Sequence, residues 1–268
     1  MRASETLLHG SNGSSVPAYE AMPHGRARSA LVVLHDDFGL DEHSRESTRL
    51  LAVEGYHVVC PNLLHRMGGE VAPYGRTEDA RAAPNAFSDA DALVDLSTCL
   101  EYLTGAGPWT PDETGVLGYG IGGRYAFLAA VGLRVATCVS MCPSGLTAAS
   151  TPPGSRSLTA LAGELQVPWL GIFASSDERT PPEEIANLEL ALAAARLDVF
   201  TQVVRYERAD GGFFSDRRAT YSLEPAFDSW QRILEWFDRR VAPRSTPYHA
   251  AWLRQQKEIA SLTSRAAG

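Results

Sequence analysis

Lysine is almost missing from this chain: Lys257 is the only one, and every other fixed cation is arginine. Net charge is −8 at pH 7, with a sequence pI near 5.4. That balance excludes nucleic acid and anionic membrane surfaces as electrostatic partners. Cysteine is scarce too. Cys60, Cys99, Cys138 and Cys142 form no CxxC pair and sit mostly in apolar runs, as buried free thiols of a reducing cytoplasm would. No apolar run approaches the ~20 residues that span a bilayer. The opening MRASETLLHG has neither the basic start nor the apolar stretch of a secretory leader. No His/Cys/Asp/Glu set has metal-ligand spacing, and the glycines of 118–123 lack the context of a dinucleotide fingerprint. No cofactor is expected. Histidine is absent between His65 and His249, and that gap bears on the chemistry below.

The 268 residues alternate short apolar runs with longer segments of helical period, the pattern of βα units around a parallel sheet. Strands are expected at Ala30–His35, Tyr56–Cys60, Gly115–Tyr119, Val135–Met141, Val167–Phe173 and Phe200–Tyr206. Helices are expected at Asp41–Glu54, Ala86–Leu103, Arg124–Val131, Pro182–Leu197 and Leu223–Val241. The prediction is one α/β domain over residues 1–242, with a mostly parallel central sheet flanked by helices. The Gly/Pro/Arg-rich stretch Asn62–Asn85 reads as a long loop over a site. Residues 243–268 form an extension in which Tyr248, Trp252, Ile259 and Leu262 share a helical stripe. It either packs on its own domain or serves as a lid or homodimer contact. Arginine over lysine, with abundant alanine, is the usage of a GC-rich bacterial genome.

Several segments carry a resemblance. Gly118-Tyr119-Gly120-Ile121-Gly122-Gly123-Arg124 has the strand–turn–helix setting of a nucleophile elbow, where small neighbours let the backbone bend sharply. Leu34-His35-Asp36-Asp37-Phe38-Gly39, Pro61-Asn62-Leu63-Leu64-His65-Arg66, Ser175-Ser176-Asp177 with Pro181-Pro182-Glu183, and Ala209-Asp210-Gly211-Gly212-Phe213 follow in order. Together they resemble the dienelactone hydrolase family of the α/β-hydrolase superfamily. The resemblance implies a nucleophilic cysteine at position 120, a histidine at 211 and an acid at Asp177. Here both 120 and 211 are glycine. With no histidine in reach and no nucleophile on the elbow, covalent acyl transfer is excluded.

What remains is a pocket at the strand C-termini. Asp36, where the family keeps a glutamate, is expected as an acid or base with a pKa raised by apolar surroundings, or as a partner for Arg66. Tyr119 and Asp177 are the other catalytic candidates. His35, Asp37, Phe38, His65, Arg66, Gly120, Ile121, Asp210, Gly211 and Phe213 are expected to line a small-molecule site. Arg66 would hold an anion, and the Ile121 amide a carbonyl oxygen. Three functions follow: a cyclase or isomerase acting on a conjugated or lactone-like molecule in bacterial secondary metabolism; a ligand-binding protein without catalysis; or hydrolysis by water that Asp36 or Asp177 activates. The first is the leading expectation.

Overall fold

The computed structural model describes residues 1–68, 88–106, 108–151 and 154–241. Eight strands form one sheet: β1 (Arg2–His9), β2 (Ser15–Met22), β3 (Ser29–Leu34), β4 (Tyr56–Pro61), β5 (Thr114–Tyr119), β6 (Thr137–Met141), β7 (Trp169–Ala174) and β8 (Thr201–Tyr206). Their spatial order is β1-β2-β4-β3-β5-β6-β7-β8, antiparallel at β1–β2 and β2–β4 and parallel everywhere else. Strands β3 to β7 are buried along their whole length. Their unbroken apolar runs are what a strand covered on both faces requires.

Helices α1 (Glu42–Val53) and α6 (Leu223–Arg240) cover one face of the sheet. The other is covered by α2 (Asp89–Ala106), α3 (Ile121–Gly132), α4 (Leu158–Leu161) and α5 (Pro182–Ala194). The expected mostly parallel α/β sheet is therefore the observed one, and the six expected strands lie within one or two residues of β3–β8.

Several elements differ from the sequence reading, the short helix α4 among them. The hairpin β1–β2 was not expected, because β1 is exposed along most of its length and shows no apolar alternation. Helix α3 starts at Ile121 rather than Arg124, so its glycine pair lies inside the first turn. The reason is crowding: a Cβ on Gly122 would run into the main-chain carbonyls of Leu34 and His35. Glycine here lets the helix sit against the end of β3. Most of the expected 62–85 loop, and the 243–268 extension with its Tyr248 and Trp252 stripe, lie outside the described residues.

Candidate active site

The elbow is built as its sequence suggests. Strand β5 ends at Tyr119, Gly120 adopts φ 54° and ψ −117°, and α3 begins at once. That left-handed backbone is strained for any residue with a Cβ. A Cβ on Gly118 would fall on the Gly122 carbonyl, so the flanking glycines are steric necessities. Gly120 N–H donates to the Met141 carbonyl and Gly120 O accepts from Ser144 N–H, which pins the turn to the end of β6. The Ile121 amide belongs to the first turn of α3, where N–H groups have no intrahelical acceptor. It is the natural donor for a carbonyl oxygen.

Around the two glycines stand charges. A Cβ at position 120 would lie 3.1 Å from Asp36 Cβ and 3.7 Å from Asp37 Oδ2. A Cβ at position 211 would lie 2.5 Å from Asp177 Oδ2, so the acid occupies the start of the path a histidine side chain would follow. Arg179 ties these regions together. Its Nη1 donates to Asp37 Oδ2 at 2.9 Å, while its Nε and backbone N–H donate to Asp177 Oδ1 at 3.3 and 2.9 Å. A carboxylate–guanidinium–carboxylate chain thus runs from beside position 120 to beside position 211.

Asp36 has a partner of its own. Its Oδ1 accepts from Phe38 N–H at 2.9 Å, and its Oδ2 accepts from Arg218, whose guanidinium stacks 4.5 Å above the Phe38 ring. Burial brings Arg218 down to about 10, which leaves it charged at neutral pH. An adjacent guanidinium favours the ionised carboxylate, so the expected neutral, proton-donating Asp36 is corrected: its carboxyl is committed to an ion pair.

Other expected site residues are placed as follows. Arg66 turns its fork onto Asp95, with both N–O distances 2.6 Å, and His65 Nε2 meets the same carboxylate at 3.0 Å. Asp95 is fully buried, so both side chains serve its charge, and Arg66 is not the anion clamp expected at the pocket. His35 bridges β3 to the turn after β4: Nδ1 meets Asp36 O at 2.7 Å and Nε2 accepts from Leu63 N–H at 2.9 Å. Burial pushes its imidazole down to about 4. Phe213 is a core side chain against Tyr206 and Phe214. Asp210 is exposed and accepts from the Gly211 amide. Tyr119 points to the α1–α6 face, where its hydroxyl lies 3.3 Å from Ser47 Oγ. It therefore does not join the charged residues around Gly120. Asp36, Asp37, Asp177, Gly120 and Gly211 are the residues the structure does bring together. Arg179 and Arg218 were missed by sequence reasoning. The available signal was electrostatic: three acids near two glycines demand countercharge, and arginine follows each loop closely.

The sequence profile of the Dienelactone hydrolase family matches residues 16–241. The chain belongs to that family. It is 31% identical over 238 residues to "Putative carboxymethylenebutenolidase" of Salmonella typhi, covering 85% of this chain and 84% of the relative. It is 29% identical over 233 residues to the carboxymethylenebutenolidase of Rhodococcus opacus, covering 84% and 86%. Among solved structures it resembles "Putative Dienelactone Hydrolase from Klebsiella pneumoniae", with TM-score 0.77, 29% identity and coverage of 88% and 98%. These relatives carry hydrolase names. That overturns the leading expectation of a cyclase or isomerase of secondary metabolism, which rested on glycine at 120 and 211 and on a pocket offering an acid and an oxyanion donor. Glycine at position 120 does not by itself point to ring closure.

Proposed function

We propose that this member of the dienelactone hydrolase family hydrolyses a small ester or lactone by direct attack of water, without an acyl-enzyme. One observation carries the reading: Asp37 Oδ2 faces the position that the nucleophile's side chain would occupy, 3.7 Å from a Cβ there. Removing that side chain leaves room for a water between the carboxylate and a carbonyl carbon held over the elbow. Asp37 takes the proton as the water oxygen bonds to the carbonyl carbon. The Ile121 amide holds the oxyanion, and the C–O bond to the leaving alkoxide then breaks as the alkoxide takes the proton back from Asp37. Sequence reasoning favoured Asp36 or Asp177 for this task; all three carboxylates pair with an arginine, and Asp37 is preferred because its Oδ2 is the carboxylate oxygen nearest the side-chain position at residue 120. The hydrolase names of the relatives support the reaction class, and a strained lactone is the ester that least needs a covalent route.

The ion pair with Arg179 competes with the proton for the same oxygen of Asp37. A positioned base of this kind contributes roughly 10²–10⁴-fold, far less than a complete triad. Stopped-flow hydrolysis of dihydrocoumarin and of phenyl acetate tests the proposal. Linear product formation from the first turnover, faster than buffer and faster for the lactone, is the expected result. A burst equal to the enzyme concentration would overturn it.

A further inference from the structure

A cavity lies beside the elbow, between α1 and α6. Its volume is about 260 Å³, and it is walled by His43 and Ser47 of α1, Tyr119 and Met141 at the ends of β5 and β6, and Phe214 and Trp230. None of Asp36, Asp37, Asp177 or Arg179 lines it. It is larger than the ~150 Å³ that suffices for one benzene ring and approaches the lower end of small-molecule pockets.

Its wall is aromatic and carries one unanswered polar atom. The rings of His43, Tyr119 and Phe214 form a triangle with centroids 5.1, 5.2 and 4.9 Å apart. His43 Nε2 is buried with no hydrogen-bond partner among the described residues. A buried polar atom in that state costs on the order of 1–3 kcal/mol and calls for an explanation. Burial also holds the His43 imidazole below its ordinary pKa, against the pull of Asp41 and Asp216. At neutral pH it is therefore uncharged, and Nε2 can serve either as N–H donor or as lone-pair acceptor depending on tautomer. The rim is apolar as well: Leu223 and Phe227 are 70% and 65% exposed, and Leu50 stands beside them.

We infer that this cavity is a binding site for a small neutral aromatic alcohol, a phenol or naphthol, whose ring stacks in the Tyr119–Phe214–Trp230 walls and whose hydroxyl satisfies His43 Nε2. An anion is not favoured, because the imidazole is uncharged and the neighbouring cation, Arg217, is already engaged by Glu46 and Asp216, which line the cavity. A hydroxyl fits because it matches either tautomer of the ring.

The test is equilibrium dialysis of the full chain with 2-naphthol and with naphthalene at pH 7.5. Wild type is expected to bind 2-naphthol about tenfold more tightly than naphthalene. His43→Phe keeps the ring and should remove that tenfold preference while sparing naphthalene. Ala226→Trp, which fills the cavity from α6, should abolish both, with circular dichroism confirming the fold. Equal affinity for the two compounds in wild type, or binding that survives Ala226→Trp, would overturn the assignment. So would a failure to bind either one together with a dimer that Phe227→Glu dissociates, which would make the apolar rim a contact between two copies. Lactone hydrolysis is measured separately in the same variants. It depends on Asp37, so the two proposals can fail independently.

Discussion

Gly211 and Asp177 are packed directly against each other: a Cβ on residue 211 would stand 2.5 to 2.9 Å from three atoms of the Asp177 carboxyl group. In a working triad the acid sits beyond the imidazole and orients it. Here Arg179 holds the acid from the other side, at its side chain and its backbone N–H. Placing a cysteine at 120 and a histidine at 211 is therefore not enough to build a triad. Gly120→Cys with Gly211→His is expected to fold with a loss of about 1–3 kcal/mol from overpacking at 211 and to show no burst with p-nitrophenyl acetate. Denaturant melts and stopped-flow absorbance check this. A full burst in the double variant would mean that the acid loop swings away freely.

Thiol chemistry gives a second expectation. All four cysteines are free and buried, and burial pushes each thiol upward, Cys142 to about 12. A protonated, enclosed thiol is a poor nucleophile. The native protein should leave 5,5′-dithiobis(2-nitrobenzoate) unreacted over minutes, and guanidinium should release four equivalents. A fast-reacting native thiol would mark an open thiolate and a covalent route that the structure does not provide.

Much of this architecture was legible from the sequence. The strands β3–β8 announced themselves by unbroken apolar runs, and the elbow by glycines whose spacing matches a sharp turn. The exposed β1 strand was not legible, because an edge strand facing solvent has little apolar periodicity to betray it. At the site, positions 36, 37, 120, 177 and 211 could be read from local motifs, since each sits at a strand end or in the loop after it. The long-range pairing of the arginines could not. Arg218 reaches Asp36 across 182 residues of sequence and Arg179 reaches Asp37 across 142, and no local pattern encodes such a pairing. The same holds for Arg66: its motif suggested a free fork, while Asp95, 29 residues away, takes it.

His35 links stability to pH. Its folded value near 4 lies below the ordinary 6.5, because the buried ring is neutral and uses both nitrogens. Between these values the unfolded chain binds a proton that the folded chain does not, so stability falls as pH falls from about 6.5 toward 4. The contribution is about 3 kcal/mol. Urea melts at pH 7.5 and 4.5 should show a larger acid loss in wild type than in His35→Gln, which itself costs about 1–3 kcal/mol at pH 7.5. Equal pH slopes in the two proteins would remove His35 from the linkage.

Arg124 is fully buried in α3 and joins three segments. It pairs with Asp89 through Nε at 2.9 Å and Nη2 at 2.7 Å, and Nη2 also donates to the Arg156 carbonyl at 2.8 Å. Removing one side of a buried pair leaves the other charge without compensation. Arg124→Met should cost about 3 kcal/mol and lower the melting temperature by several degrees. Arg232→Met, which breaks an exposed i,i+4 pair with Asp228 on α6, should cost under about 1 kcal/mol. Comparable losses in the two variants would show that the Arg124 pair is no more than a surface contact.

The claim that water is activated by Asp37 stands or falls on the steady-state rate of dihydrocoumarin hydrolysis by Asp37→Asn. That change preserves size and a hydrogen-bonding oxygen for Arg179 but removes the carboxylate that takes the proton. The account predicts a kcat at least about 100-fold below wild type, with KM changed little and the melting curve intact. Asp36→Asn should lose less, because neither of its carboxylate oxygens is among the atoms nearest the side-chain position at residue 120. Wild-type turnover in Asp37→Asn, or a wild type no faster than buffer, would contradict it.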